Sequence, residues 1–277
     1  MLSSFIAEMD KLIRQPATWI LAIIWLALNQ VFSYLIPYTS YLSADNEREA
    51  EQVLASTLPS ELIANSISGF PVFAGAIALI LGALAVGSEY GWGTLKTVLT
   101  QRPRRLSVYA GKLAALAVAV LGIVLATFAS GALTSSVIAS LESEAIIWPA
   151  VADLAQGFAA GFLILAMWCL LGVVLAVLFR SMALPIGLGL VWALVIENLI
   201  RSVAAPLLGF SETLQKGLPG VNAGSLVAAL GAPTRGEQAA PGVISAVDGT
   251  QATLVLIAYA VGFALIAGFV LQKRDVT

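Results

Sequence analysis

Between residues 88 and 112 the chain reads SEYGWGTLKTVLTQRPRRLSVYAGK, and one carboxylate, Glu89, is followed there by Lys96, Arg102, Arg104, Arg105 and Lys112. Five cations in so short an interval fit either a positive-inside loop beside anionic headgroups or a docking element for a cytosolic partner. Elsewhere the chemistry-bearing residues are sparse. Asn29 and Gln30 are adjacent amides in an apolar run, and Glu197 lies four residues before Arg201, on the same face of a helix. No histidine and a single cysteine exclude thiolate and imidazole metal sites, disulfide frameworks and every histidine-dependent triad. No catalytic residue and no metal ligand set is expected, and nothing suggests nucleic-acid binding.

These residues are set in an unusually apolar chain. Of 277 residues, 59% are hydrophobic and 11% charged, against about 25% charged in an ordinary soluble domain. The chain is expected to be an all-α, polytopic membrane protein of one domain, because uncharged stretches such as 70–86 and 254–271 satisfy their backbone groups in lipid only as helices. Six runs of about 20 apolar residues fall at 17–38, 69–88, 111–136, 155–178, 182–200 and 252–271. Six crossings place both termini on one side.

Basic residues orient them. Lys11, Arg14, the five cations at 96–112, Arg180, Lys273 and Arg274 share one side, while Arg48, Arg201, Lys216 and Arg235 take the other. The first side is cytoplasmic by the excess of Lys and Arg. Most acids, including Glu47, Glu49, Glu51, Glu142, Glu144 and Asp248, then fall outside.

Residues 1–16 are interrupted by Glu8, Asp10, Lys11 and Arg14, which no cleavable signal core tolerates. Leu2, Phe5, Ile6, Met9, Leu12 and Ile13 form one stripe, with Ser3, Ser4, Glu8, Lys11 and Gln15 opposite, so an amphipathic helix is expected in the cytoplasmic interface, ending before Pro16. Gly87, Gly91 and Gly93 are expected to turn the chain out of the second span. A short amphipathic helix carrying Trp92, Leu95, Val98 and Leu99 then runs to Gln101 and stops at Pro103. Between spans five and six lies a long outer connection, broken by Pro and Gly, with one short helix near 221–231. Gly157 with Gly161, and Gly75 with Gly82, mark faces of close helix approach.

The run Glu89, Tyr90, Gly93, Thr94, Leu95, Lys96, Leu99, Arg102, Pro103, Arg105, Gly111 and Lys112 resembles the segment between spans two and three in permeases of the type-2 ATP-binding-cassette (ABC) exporter family, and most closely the bacitracin- and lantibiotic-type immunity permeases. The resemblance implies that Glu89 to Leu99 form a coupling helix seated on a separate cytosolic ATP-binding subunit, with Arg102, Pro103 and Arg105 fixing its exit. It also implies two such subunits, ATP and Mg bound on them, and a second permease chain, identical or homologous. The chain itself has no Gly-x-x-x-x-Gly-Lys-Ser/Thr phosphate loop. Export of an amphiphilic, lipidic or peptide-like compound across a bacterial plasma membrane is the expected function, with Asn29, Gln30 and Glu197 either on the substrate path or held structurally, the amides by a neighbouring helix or the second permease and Glu197 by Arg201. The alternative is an ion-coupled transporter centred on Glu197, without an ATPase. A membrane-embedded enzyme is disfavoured, because no aspartate or histidine lies in any span.

Overall fold

The computed structural model describes residues 2–91, 105–200, 215–236 and 239–273, and the described residues contain helices and no strands. Helix α1 (Leu2–Arg14) ends at Gln15, and Pro16 occupies the first turn of α2 (Pro16–Leu42), where its missing N–H costs nothing. After the short acidic α3 (Glu47–Ala55) come α4 (Pro59–Gly91), α5 (Arg105–Leu141) and α6 (Val151–Phe179). Arg180 stands in the left-handed region at φ 48° and reverses the chain into α7 (183–199). Helix α8 (Pro219–Ala229) lies in the connection that leads to α9 (Gly249–Lys273).

Among the described residues five helices, α2, α4, α5, α6 and α9, are long and apolar enough to cross a bilayer. The run at 182–200 forms a shorter apolar helix. Helix α7 begins where Ser181 and Met182 meet Gly87, at the late end of α4, and Gly189 packs against Leu79 further back along α4. It therefore runs antiparallel to α4. Its far end carries Glu197 against Gly220 of α8, and the stretch after α8 brings Gly242 against Val72, near the middle of α4.

Helix α4 is the core, with 72% of its most apolar window buried, against 17% for α2 and α9. Its partner is α6. Gly82 faces the Cys169 carbonyl, Gly172 faces the Leu79 carbonyl, and Gly75 lies under the Trp168 indole, so the two backbones meet where no Cβ would fit. The expected small-residue faces are thus in direct contact. Gly157 and Gly161 receive Ile63 and Phe70 in the same way. Dispersion from such close approach is what drives helix association where lipid is as apolar as leucine.

Gly87 differs from the expectation. Helix α4 continues through Gly91, so Gly87 does not turn the chain; it lets Ser181 and Met182 pack on the helix. The outer helix near 221–231 also differs, since it is buried rather than resting on a surface, with Val221, Asn222, Ala223, Gly224, Leu226 and Val227 all enclosed. The expected coupling helix lies outside the described residues.

The glycine contacts carry a testable consequence. Gly172→Ala places a methyl against the Leu79 carbonyl and is expected to cost about 1–3 kcal/mol of stability in detergent. Gly122→Ala, at a position with nothing within 4 Å, is expected to be neutral or slightly stabilising. Thermal unfolding of the two purified variants checks this, and equal midpoints would refute the packing account.

Candidate functional site

The described residues that bracket the segment 92–104 are held from both sides. At its entrance stands Glu89, on the last turn of α4, 7% exposed and turned inward. Its Oε1 accepts from Lys112 Nζ at 2.6 Å and from Lys11 Nζ at 2.7 Å. Lys112 also donates to Glu8 Oε2 at 2.7 Å, and both lysines reach the Ala85 carbonyl, at 3.0 Å from Lys11 and 3.1 Å from Lys112. Two carboxylates and two ammonium groups from α1, α4 and α5 thus form one neutral, largely buried quartet. Burial pushes the Lys11 ammonium below its ordinary pKa, and the neighbouring charge of Lys112 pushes the same way, against the pull of Glu89 and Glu8.

Local sequence explains why α1 can get there. Gly111 precedes Lys112, and a Cβ on Gly111 would lie 2.8 Å from the Ser4 Cβ and 2.9 Å from the Phe5 nitrogen. The Gly-Lys pair is therefore one device: the glycine admits the α1 backbone and the lysine binds Glu8. Helix α1 then turns Phe5, Glu8, Met9, Lys11 and Leu12 towards the bundle and Leu2, Ile6 and Ile13 outward. Glu8 and Lys11, expected on a solvated face, instead form its charged anchor. The sequence signal was present in the spacing of Glu8 and Lys11, one turn apart, but helical periodicity assigns charge to water unless a distant countercharge is known.

The exit is pinned by Arg105. Its Nη1 donates to the carbonyls of Leu271 and Gln272 at 3.4 Å each, at the carboxyl end of α9, where a cation is favoured by the helix dipole. Tyr109 donates to the Ala264 carbonyl at 2.7 Å and rests on Gly268. A small cavity lined by Val86, Tyr90, Arg105, Val108, Tyr109 and Leu271 adjoins the quartet. Of the residues expected to couple, Glu89, Tyr90 and Arg105 are gathered here, and Gly93, Thr94, Leu95, Lys96, Leu99, Arg102 and Pro103 lie outside the described residues.

The three path candidates are not brought together. Asn29 is 3% exposed and donates to the Asn65 carbonyl at 3.0 Å, while its Oδ1 meets no donor among the described residues. Gln30 donates to Ser130 at 2.9 Å and accepts from Thr134 at 2.7 Å, so it joins α2 to α5. Glu197, 4% exposed, accepts from Trp192 Nε1 at 2.9 Å at the far end of α7, and Arg201 lies outside the described residues. A second polar clasp, missed in the sequence, joins α2 to the end of α5: Tyr38 and Tyr41 both donate to Glu142, at 2.7 Å each.

A profile of the family described as ABC-2 family transporter protein matches residues 2–276. The chain belongs to that family, whose members are membrane permeases and typically non-catalytic, and membership implies association with an ATP-binding subunit. A search of curated proteins finds no match.

The clasp gives a pH prediction. The tyrosine hydroxyls hold the Glu142 carboxyl below its ordinary value of 4.5, so its contribution is present above that value and is lost as pH falls through the lower folded-state one. Acidification through that lower value is expected to reduce the protection of the amides of residues 36–42, measured against their intrinsic exchange rates at the same pH, and Glu142→Ala to give low protection at every pH. Protection factors independent of pH in the parent protein would contradict it.

Proposed function

We propose that this chain is the permease subunit of an ATP-driven exporter with six crossings, both termini cytoplasmic, in a bacterial plasma membrane. The observation that carries the reading is the bracketed segment. Glu89 on one side and Arg105 on the other are tied to α1, α5 and α9, so the two ends that flank segment 92–104 are fixed in a rigid floor built of four helices. A helix pushed from the cytoplasm would pass its displacement into the bundle through that floor. The family match and the resemblance of 89–112 to a coupling segment point the same way.

The sixth crossing is α7. It starts beside Gly87, near one end of α4, and ends at α8, whose following stretch touches Val72, near the middle of α4. A helix that runs antiparallel to the uncharged 70–86 stretch of α4, from Gly87 to the level of Val72, traverses the layer that stretch traverses, although its apolar run is shorter. Six crossings then return α9 to the side of α1, consistent with Arg105 of α5 reaching its last carbonyls.

Two permease chains, identical or homologous, would work with two ATP-binding subunits that hold ATP and Mg. ATP binding there would close the cytoplasmic side and shift the permease between inward- and outward-open populations. The cargo class is amphiphilic, lipidic or peptide-like, as in bacitracin- and lantibiotic-type immunity permeases. Asn29 is the best placed of the path residues, since its Oδ1 retains accepting capacity. Glu197 is the centre of the competing ion-coupled reading, for it is buried; its position against α8, at an end of α7, suits anchoring better than a mid-membrane relay.

Purification of the tagged chain from its native membrane in mild detergent tests this. A stoichiometric ATP-binding subunit with ATPase activity is expected, with Leu95→Lys releasing it. Recovery of the chain alone, with no nucleotide-binding partner, sinks the proposal and leaves proton- or sodium-coupled uptake as the assay to run next.

A further inference from the structure

We infer that Glu89 is a positioning residue which acts by neutralising Lys11 and Lys112, and that the Glu8–Lys11–Glu89–Lys112 quartet is an electrostatic latch holding α1 to the start of the coupling segment. This deepens the proposed function and rests on it for the meaning of the output, but the latch itself is a property of the chain alone.

The geometry separates two roles for Glu89. A residue that touched an ATP-binding subunit directly would present its carboxylate outward. Here the carboxylate is buried, and a single oxygen accepts from both ammonium groups. Lys112 is satisfied again by Glu8 at 2.7 Å, whereas Lys11 approaches Glu8 only at 3.7 Å. The charge count is balanced at two and two. Without the charge of Glu89, two ammonium groups are left facing one carboxylate in a poorly solvated place, and α1, which carries Lys11 and Glu8 and crosses α5 at Gly111, is the element free to leave.

The arithmetic of charge makes a prediction that direct contact does not. Glu89→Gln leaves a surplus positive charge and undocks α1. Adding Lys11→Gln restores one carboxylate to one ammonium, Glu8 with Lys112, and redocks it. Were Glu89 instead a contact with the ATPase, removing Lys11 would restore nothing.

The experiment uses the full chain with Cys169→Ala and a reporter Ser4→Cys, placed under Gly111, and reads maleimide labelling in native membranes alongside ATPase activity and co-purifying ATP-binding subunit. In Glu89→Gln, labelling is expected to rise about tenfold or more and coupled ATPase activity to fall, with both returned to within about twofold of the parent in Glu89→Gln/Lys11→Gln. Should Glu89→Gln not accumulate in the membrane, accumulation of the double variant is the same rescue, and failure of both variants overturns the latch. Unchanged labelling in Glu89→Gln, or ATPase loss that Lys11→Gln leaves uncorrected, also overturns it. Absence of any ATP-binding subunit from the parent preparation defeats the exporter reading instead, and the labelling result still decides the latch.

Discussion

Close backbone contact between α4 and α6 is the constraint on which the rest of the bundle depends. Water is not available to drive apolar faces together inside lipid, so association must come from dispersion at short range. Glycine at 75, 82 and 172 removes the side chains that would keep the helices apart, and carbonyl oxygens of Leu79 and Cys169 occupy that space. The more exposed helices α2 and α9 are then added around this pair through longer side chains, such as the Trp25 indole against Gly69 and bonded to Thr127 at 2.8 Å. Since Glu89 lies on the last turn of α4, whatever fixes α4 also fixes Glu89.

The charges follow from that placement. A lone carboxylate at the end of a buried helix is costly, and so is a lone lysine on α5; each is tolerable only because the other is there. Two ammonium groups roughly 5 Å apart repel by about 3 kcal/mol at an effective dielectric near 20, so sharing one oxygen is stable only with the second carboxylate from α1. Well-packed apolar residues would hold three helices together as firmly. What the ions add is dependence on one another, which makes the docking of α1 all-or-none in a way graded apolar contact is not.

Much of this was legible in the residues. Hydropathy marks the span-forming runs, Pro16 marks the break after α1, and the glycine pairs mark the tight faces, because each depends on local chemistry alone. Inward-facing charge was not legible. Glu8 and Lys112 are 104 residues apart, and no periodicity within either helix reveals that the one is the countercharge of the other. Gly87 was misread as a corner for the same reason: its neighbours, Ser181 and Met182, come from another helix. The buried state of α8 likewise depends on α9 and the Pro71–Val72 turn of α4, which a single short apolar run cannot announce.

Three π-helical turns bear on how such a bundle could move: Val31–Leu35 in α2, Phe70–Ala74 in α4 and Val191–Ile196 in α7. Each adds a residue to one turn and rotates the faces beyond it, and such turns are frequent at functional positions. In α4 the turn begins at Phe70 and Pro71, where the proline has no N–H to give to the ladder. The turns in α2 and α4 face each other, since Phe32 and Phe73 stack at 6.3 Å. All three lie away from the quartet, at the level where Glu197 and Val72 meet the connection between α7 and α9. The chain thus separates the end where paired charges hold α1, α4 and α5 in one register from a region, at the level of Phe70–Ala74, whose helical hydrogen bonding is already irregular. Displacement entering at Glu89 would travel along the rigid α4–α6 pair and be taken up where the ladder is weakest.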